Sequence, residues 1–298
     1  MPCRRRSAAG RSRRRCEGSA VTRPRAVLTI GDVLRKSTEH LAAKDAEQPR
    51  LDAERMLAHA LGMERVELYM HLDRPLTDAE LDTARSLVAR RAGGEPLQYV
   101  LGEWGFRRLT LHVDGRALIP RPETETVVER CLALIAGRTA PRVLDVGTGS
   151  GAIALAIADE HPGARVTAVD VSAEALALAR ENVERTGLSV ELLRADLFDG
   201  LPDEGWDLVV SNPPYVRGEE LPSLPSGVAE WEPGIALVGR GHTEAVVRDA
   251  ARVLHPGGAL VLEVHEGAAA AVASLLDSHG FVDVRATPDL AGRDRVVE

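Results

Sequence analysis

A glycine-rich stretch directly after an apolar run constrains this chain more than any other feature of its sequence. The apolar run, Arg142–Val146, is typical of a buried strand, and the apolar stretch Ala152–Glu160 predicts a helix. Between them lies the sequence Asp-Val-Gly-Thr-Gly-Ser-Gly, residues 145–151, so the helix follows the strand at once. Because glycine lets the backbone turn sharply and approach a ligand closely, we predict a strand–turn–helix unit with a ligand at the turn.

Strands and helices alternate along the rest of the chain. Further helices are predicted at 124–134, Ala173–Thr186, 243–254 and 268–279. Further strands are predicted at Arg165–Asp170, Val190–Arg194, 207–211, 258–264, 281–285 and 295–297. This alternation is typical of an α/β fold with a mostly parallel, Rossmann-like sheet covered by helices on both faces. Ligands of such sheets bind at the carboxyl ends of the strands.

The spacing of the glycines bears on the kind of ligand. A glycine-rich turn between strand and helix is by itself a weak signal, since Rossmann dehydrogenases have one too. Their pattern is Gly-x-Gly-x-x-Gly, whereas here glycine stands at every second position after Asp145. This spacing resembles motif I of the class I S-adenosylmethionine-dependent methyltransferases. By that resemblance, the residues that contact the cofactor are Gly147, Thr148, Gly149, Ser150 and Gly151.

Acidic side chains follow the next two strands. Asp170 can accept hydrogen bonds from both hydroxyls of a ribose. NAD enzymes place an acid similarly, and the alternative role for Asp170 is a helix N-cap ahead of Ser172. Asp196 could reach the amino group of an adenine, and Leu197 could pack against the adenine face. For these two residues the alternative is an ordinary place in a loop and in the core.

The fourth strand ends in Asn212-Pro213-Pro214-Tyr215. Two prolines remove backbone donors and fix φ, so the segment is a stiff wall with carbonyl groups facing a ligand. The side-chain oxygen of Asn212 and the carbonyl of Pro213 can each accept one N–H of an NH₂ group, which aims the nitrogen lone pair at a methyl donor. Tyr215 offers a flat face to a planar substrate. The motif predicts methylation of a planar amide or ring-amino nitrogen, with Asn212, Pro213 and Tyr215 as catalytic residues.

Charge is divided unevenly along the chain. Residues 1–25 hold nine arginines against Glu17 alone, a net charge of +8, whereas the whole chain carries −8 and the remainder therefore −16. A body this acidic is a poor electrostatic match for nucleic acid, so no direct contact with nucleic acid is expected. Residues 1–26 are expected to form a disordered Arg-rich tail, with nucleic-acid binding, a transit peptide and a mis-assigned start codon as alternatives.

Other features of the sequence exclude several classes of protein. The longest apolar runs fall well short of the ~18 residues of a membrane span, and the tail lacks the apolar segment of a secretory signal. The cysteines, Cys3, Cys16 and Cys131, form no Cys-x-x-Cys or Cys/His cluster. This arrangement argues against a disulfide framework or a structural metal site. We expect a soluble, cytoplasmic, monomeric protein.

An N-terminal helical bundle is predicted over residues 27–94. Apolar residues recur there at helical spacing, and Gly62 is placed to end one helix. Thr77 and Glu80 form a capping box in front of another, which Gly93 ends. The bundle has no internal chemistry, so its expected task is to hold a partner or to pack on the next domain.

A β-hairpin linker is predicted over residues 95–120, ahead of the sheet domain at 121–298. The linker opens as a loop at Glu95, and residues 109–113 then alternate between apolar and polar as in a strand. The Asp-Gly pair at 114–115 is a turn signal, after which the hairpin is expected to continue.

Taken together, these motifs resemble the release factor glutamine N5-methyltransferases, the PrmC/HemK family. The resemblance extends from about Thr29 to the C-terminus. It is carried by residues 50–54 (Arg-Leu-Asp-Ala-Glu), 95–99 (Glu-Pro-Leu-Gln-Tyr), 118–125 (Leu-Ile-Pro-Arg-Pro-Glu-Thr-Glu), 145–151, 211–215, 232–233 (Glu-Pro) and 292–295 (Gly-Arg-Asp-Arg). The combination of Ile-Pro-Arg-Pro-Glu-Thr-Glu with Asn-Pro-Pro-Tyr is highly specific, although neither motif alone would be.

The resemblance implies an activity, a cofactor and a partner. It implies a class I methyltransferase that uses S-adenosylmethionine to methylate the side-chain nitrogen of the Gln in the Gly-Gly-Gln loop of class 1 peptide chain release factors. The helical bundle would help to dock the release factor. Asn212 would contact both cofactor and substrate, and the further substrate-binding positions would be Pro213, Pro214, Tyr215, Phe106 and Arg121.

Three alternatives share part of this pattern. An adenine N6 DNA methyltransferase shares Asn-Pro-Pro-Tyr, but it would need a target-recognition domain and a basic cleft, which the acidic body disfavours. A methyltransferase of a ribosomal-protein glutamine shares the chemistry and differs mainly in its N-terminal domain. A non-catalytic cofactor-binding partner of release factors would have no need of the intact motif at 212–215.

Overall fold

The computed structural model of the protein describes residues 27–201, 205–216, 218–221, 226–239 and 241–298. The predicted tail, residues 1–26, lies outside the described residues.

The helices are α1 (Ile30–Ala42), α2 (Pro49–Leu61), α3 (Arg65–Met70), α4 (Asp78–Ala92), α5 (Leu97–Leu101), α6 (Thr124–Ile135), α7 (Ala152–Glu160), α8 (Ala173–Thr186), α9 (Ser226–Ala229), α10 (Gly234–Leu237), α11 (His242–Val253) and α12 (Ala269–Ser278). The strands are β1 (Glu103–Phe106), β2 (Leu109–His112), β3 (Arg142–Val146), β4 (Arg165–Asp170), β5 (Val190–Arg194), β6 (Trp206–Ser211), β7 (Leu254–Glu263), β8 (Ala286–Pro288) and β9 (Asp294–Val297). Of the helices in these described ranges, even the longest falls short of the length and apolarity of a membrane span.

Capping residues set the ends of the N-terminal helices. Thr29 caps α1, and Thr77 and Glu80 form the predicted capping box in front of α4. Gly62 has a left-handed φ of 61° at the C-cap of α2, a conformation that glycine adopts without steric cost. Helices α1 to α4 then bury one shared apolar cluster, which confirms the predicted helical bundle. Its fully buried members include Ile30, Leu34, Leu41, Met56 and Leu68.

The linker differs from its prediction in two places. Residues Leu97–Leu101, predicted as loop, form the short helix α5. The hairpin precedes the turn signal at 114–115 instead of following it, because β1 pairs antiparallel with β2 and Phe106 lies opposite Leu109. The prediction was therefore wrong about the position of the turn, which is at residues 107–108.

Charged contacts explain a hairpin turn that has no glycine. Arg107 has a φ of 53°, a left-handed conformation that is uncommon outside glycine. Its backbone N–H donates to Glu125, and its guanidinium donates to Glu160 at 2.8 Å and to Glu129 at 2.9 Å. These contacts fix the hairpin against α6 and α7.

The large sheet has the strand order β5-β4-β3-β6-β7-β9-β8. All neighbouring strands are parallel except β9, which is antiparallel to both β7 and β8. Apolar clusters join α6 and α7 to one face of the sheet and α11 and α12 to the other. The chain continues from β3 to β4 on one side and later returns to β6 on the other side, so the carboxyl ends of β3 and β6 meet where the strand order reverses. A ligand crevice is expected at this point of the sheet.

One strand of the sheet lies later in the chain than predicted. The prediction was 281–285, whereas β8 begins at Ala286. The reason is that Gly280 and Asp283 have left-handed φ values of 85° and 56°, which interrupt an extended chain. Phe281 packs against the apolar cluster instead. The other predicted strands and helices of the sheet domain are confirmed, with ends that differ by at most four residues.

A buried asparagine connects the hairpin, α8 and the glycine-rich turn. Asn182 lies on α8 and is fully buried. Its side-chain oxygen accepts from the backbone N–H of His112 at 2.7 Å, and its NH₂ group donates to the carbonyls of His112 at 3.0 Å and Ser150 at 2.9 Å. The Asn182 side chain therefore satisfies three backbone groups. These hydrogen bonds fix the hairpin and the glycine-rich turn to α8.

We predict that Asn182→Ala lowers the free energy of unfolding by about 2–4 kcal/mol, because it leaves three buried backbone groups without this partner. Urea unfolding followed by circular dichroism measures the change. Glu184→Ala, on the exposed side of the same helix, is the matched control and should change the free energy of unfolding by less than about 0.5 kcal/mol. Equal losses in the two variants would contradict the role given to Asn182.

Candidate active site

A cavity of about 640 Å³ opens at the carboxyl ends of the parallel strands, beside the ends of β3 and β6. Most of the site residues predicted from the sequence line it. They are Arg121, Gly147, Thr148, Gly149, Ser150, Asp170, Asp196, Leu197, Asn212, Pro213 and Pro214. The remaining predicted residues, Gly151, Tyr215 and Phe106, do not line it, although the structure describes them. The glycine-rich turn and the Asn-Pro-Pro segment, which were predicted separately, thus belong to one cavity.

The glycine-rich turn owes its shape to left-handed backbone conformations. Gly147, Gly149 and Gly151 have φ values of 75°, 57° and 84°. The backbone N–H groups of Gly147 and Thr148 both donate to the carbonyl of Val169 on β4. The turn is therefore fixed to the neighbouring strand, and its glycines bring backbone without side chains to the cavity at 147 and 149.

The glycine-rich turn is supported by the buried carboxyl of Asp145, which does not line the cavity. Asp145 is 1% exposed and accepts a hydrogen bond of 2.6 Å from the hydroxyl of Thr148. Burial raises the pKa of the Asp145 carboxyl to about 7, although the hydrogen bonds from the Thr148 hydroxyl and the Ala154 backbone oppose the shift. Because Asp145 does not line the cavity, its contribution is to the shape of the turn.

Asp170 connects the turn to the next helix. One of its carboxylate oxygens accepts from the backbone N–H of Gly149 and the other from that of Ser172, both at 2.9 Å. The N-cap of α8 is Ser172, whose hydroxyl accepts from the backbone of Ala175, so Asp170 itself is not the cap. Each oxygen of a carboxylate has a further lone pair. Asp170 can therefore hold the turn and still accept hydrogen bonds from a ligand in the cavity.

Leu197 forms an apolar part of the cavity wall in an unusual conformation. Its φ is 51°, and a left-handed conformation costs a residue with a side chain roughly 1–2 kcal/mol. Packing against an apolar cluster on the α11 and α12 face of the sheet holds it there. The preceding residue, Asp196, is exposed. The pair places an apolar surface beside a carboxylate, which suits a base with an exocyclic amino group.

Hydrogen bonds hold the start of the Asn-Pro-Pro segment where it leaves β6. The hydroxyl of Ser211 donates to the carbonyl of Val146 at 2.7 Å, which joins the ends of β6 and β3. Asn212 then donates from its Nδ2 atom to the hydroxyl of Thr124 at 3.5 Å. Thr124 in turn donates to Glu263 at 2.6 Å. The two prolines that follow line the cavity.

Two predicted substrate residues, Tyr215 and Phe106, do not line the cavity. The ring of Tyr215 is 5.8 Å from that of His265, and burial, with the nearby charge of Glu263, raises the pKa of the Tyr215 hydroxyl to about 12. Phe106 is 1% exposed and packs in the core between the hairpin and α6. This position corrects the expectation that Phe106 is near the cleft. Its place at the end of β1, opposite Leu109, directs its side chain into the core.

Arg121 is held in the cavity wall by a buried acid. Its guanidinium forms an ion pair with Glu232, and the other oxygen of Glu232 accepts from the backbone N–H of Ile119 at 3.3 Å. Burial raises the pKa of the Glu232 carboxyl, and the charge of Arg121 opposes the shift. Glu232 therefore fixes residues 118–121 against the site.

Comparisons with known proteins agree with this geometry. Residues 32–102 match the family described as the PrmC N-terminal domain, and residues 129–224 match the methyltransferase small domain. The "Release factor glutamine methyltransferase" of Rhodopirellula baltica is 42% identical over 281 residues, which cover 90% of this chain and 95% of the relative. That of Geobacter sulfurreducens is 43% identical over 278 residues, with 91% and 96% covered. The chain belongs to the release factor glutamine methyltransferase family.

The enzyme is therefore a protein-glutamine methyltransferase that depends on S-adenosylmethionine. Among solved structures, the catalytic domain of hMettl16 in complex with MAT2A 3'UTR hairpin 6 superposes with a TM-score of 0.52 at 19% identity, covering 74% of this chain and 81% of that chain. At this identity the similarity shows the fold alone. It is the class I methyltransferase fold that the sequence predicted.

The volume of the cavity and the residues that line it fit S-adenosylmethionine. The cavity volume lies within the range of about 300–1,000 Å³ that is usual for small-molecule sites. A Cβ atom added at Gly149 would lie 3.8 Å from that of Ala117 on the opposite wall, so the turn and the wall approach each other closely there. The acceptors of Asp170 and the apolar side chain of Leu197 suit a ribose and an adenine.

Three residues that support the site were not predicted as site residues from the sequence: the hydroxyl residue Thr124 and the acids Glu232 and Glu263. Thr124 had been identified only as a helix start, although it lines the cavity. A signal existed for Thr124 and Glu232, since both lie in segments that carry the family resemblance. Glu263 had no such signal, because it ends an apolar strand and is one acid among many.

We predict that Gly149→Ala raises the Kd for S-adenosylmethionine by roughly tenfold or more, because the added methyl group narrows the cavity and strains the turn. Isothermal titration calorimetry measures the Kd. Gly187→Ala is the matched control. Gly187 also has a left-handed φ, 69°, at the C-cap of α8, and does not line the cavity. Its variant should lose stability but bind the cofactor with an unchanged Kd; equal affinity in both variants would contradict the assignment of the turn.

Proposed function

We propose that this enzyme methylates the side-chain nitrogen, N5, of the Gln in the Gly-Gly-Gln loop of class 1 peptide chain release factors. Membership of the family supports the choice of substrate. The observation that carries the proposal is the wall formed by Asn212 and Pro213, in the same cavity as the glycine-rich turn. This wall offers two acceptors to a planar NH₂ group and keeps the donor of the Asn212 side chain on Thr124.

The residues of the wall hold and orient the substrate. The Oδ1 atom of Asn212 and the carbonyl of Pro213 each accept one N–H of the glutamine amide. An amide nitrogen is a poor nucleophile because its lone pair is delocalised, so positioning must supply much of the rate, and well-oriented reactants gain on the order of 7–11 kcal/mol. When bound, S-adenosylmethionine supplies an electrophilic methyl group on its sulfonium. No base is required before transfer, since the amide proton can leave afterwards.

We propose that the cofactor is held by the turn at 147–151 together with Asp170, Asp196, Leu197 and Asn212. Asp170 accepts from the ribose hydroxyls, and Asp196 and Leu197 meet the adenine. The sulfonium and amino groups of the cofactor are cations, and the carboxylates at this end of the sheet favour a cation electrostatically.

The N-terminal bundle, residues 27–94, is the part of the enzyme that we propose to dock the release factor. Its short helix α3 exposes large apolar side chains, since Val66 is 68% and Met70 is 72% exposed. Exposed apolar residues that are contiguous are typical of surfaces that bind proteins. The acidic body of the chain disfavours a nucleic-acid substrate in place of the protein.

We predict that radiolabelled S-adenosylmethionine transfers its label to a purified class 1 release factor, but not to the same factor with the Gln of Gly-Gly-Gln changed to Ala. Scintillation counting of the separated proteins measures the transfer. A ribosomal-protein substrate and duplex DNA serve as the competing acceptors. Label on either competitor without label on the release factor would contradict the proposal.

The control for a contaminating activity is Asn212→Ala. This variant should bind S-adenosylmethionine with a Kd within about tenfold of the wild type and transfer no label to the release factor. Unchanged transfer would contradict the acceptor role of Asn212.

A further inference from the structure

The Ile-Pro-Arg-Pro-Glu-Thr-Glu segment contains a buried hydroxyl that connects Asn212 to a buried acid. Thr124 is the first residue of α6 and is 5% exposed. Its hydroxyl contacts Asn212 on one side and Glu263 on the other. The residues of this chain of contacts come from α6, from the end of β7 and from the segment that follows β6.

The sheet itself brings two of these residues together. Strands β6 and β7 are parallel neighbours, and Ser211 pairs with Leu262. The next residues along the chain, Asn212 after β6 and Glu263 at the end of β7, therefore lie side by side at the carboxyl ends of these strands. Glu263 is 2% exposed, so its carboxyl meets Thr124 in a setting almost free of water.

The direction of these hydrogen bonds is decided by the carboxylate. An ionised carboxylate can only accept, and a threonine hydroxyl has one proton to donate. Thr124 gives that proton to Glu263, so toward Asn212 it can only accept. Asn212 must then turn its NH₂ group to Thr124, which leaves its Oδ1 atom as the acceptor for other groups.

We propose that Thr124 and Glu263 are positioning residues that orient the Asn212 amide so that its oxygen, not its NH₂ group, meets the substrate nitrogen. This role rests on the proposed function, because an NH₂ group of a substrate needs an acceptor. An Asn212 turned the other way would present donors to donors and would repel the substrate amide.

Because these contacts include the carboxyl of Glu263, they make the orientation of the Asn212 amide depend on pH. Burial raises the pKa of the Glu263 carboxyl to about 7, against the hydrogen bond from Thr124. Of the charges that face it, those of Arg295 and Arg121 lower this pKa and that of Glu123 raises it. The buried hydroxyl of Tyr215 also faces it and stays neutral, since the pKa of Tyr215 is raised to about 12.

Protonation of Glu263 would reverse the chain of hydrogen bonds. A neutral carboxyl can donate to Thr124, whose own proton is then free to go to the oxygen of Asn212. The active orientation therefore belongs to the ionised form, and activity is lost as pH falls through about 7. With a pKa of about 7, about nine in ten Glu263 carboxyls are ionised at pH 8 and about one in ten at pH 6, so kcat should fall about tenfold between pH 8 and pH 6.

The first test compares kcat, KM for the release factor and Kd for S-adenosylmethionine in three variants. Thr124→Val should lower kcat by about 10–100-fold with little change in the cofactor Kd, because the hydroxyl alone is lost. Thr124→Ser restores the hydroxyl and should keep kcat within about threefold of the wild type. Thr126→Val, on the same helix and away from the cavity, is the matched control and should match the wild type.

The second test is the pH profile of Glu263→Gln. The glutamine carbonyl can accept from Thr124 at every pH, so the variant should remain active and lose the fall in kcat between pH 8 and pH 6. This outcome does not depend on whether Thr124→Val folds.

Three results would overturn the role of these residues while leaving the proposed function intact: wild-type kcat in Thr124→Val, a Thr124→Ser enzyme as slow as Thr124→Val, or an unchanged acid fall in Glu263→Gln. No transfer to the release factor by the wild-type enzyme would overturn the proposed function and this role together.

Discussion

The chain must leave β3 and enter α7 within a single turn, and left-handed backbone at three glycines is what allows it to do so. Gly147, Gly149 and Gly151 take these conformations, and the buried carboxyl of Asp145 closes the turn from behind. Because no side chain projects from the glycines, a cavity remains between the turn and the opposite wall. Asp170 reaches this turn from β4, so the same contacts that stabilise the loop also shape the cavity in which we propose that the cofactor binds.

The opposite side of the cavity depends on buried acids from distant parts of the chain. Glu232 fixes Arg121 and the backbone of Ile119, and Glu263 fixes Thr124. Burying a carboxyl is costly unless it is hydrogen-bonded, and each of these has a partner in the segment 118–125. That segment therefore forms a wall with a defined shape, and the Asn-Pro-Pro segment after β6 completes it. The glycine-rich turn and this wall face one cavity at the point where the strand order reverses.

Much of this could be predicted from the sequence, and the failures have physical causes. Helices α7 and α8 and strands β3 to β5 have their predicted ends, because apolar period and capping are local signals. The hairpin turn was misplaced because Arg107 takes a left-handed conformation that its contacts with distant acids maintain. Phe106 was placed near the cleft by resemblance, whereas the pairing of β1 with β2 directs it into the core. Glu263 is 139 residues from Thr124, and no local pattern reports a contact over that separation.

The most direct test of the account is a crystal structure of the enzyme with S-adenosylhomocysteine and a peptide that contains Gly-Gly-Gln. We predict the adenosine between the turn at 147–151 and Leu197, with its ribose hydroxyls on Asp170. The glutamine side-chain nitrogen should lie within hydrogen-bond distance of the Oδ1 atom of Asn212 and the carbonyl of Pro213. A glutamine amide bound away from Asn212, or a cofactor outside this cavity, would contradict the account.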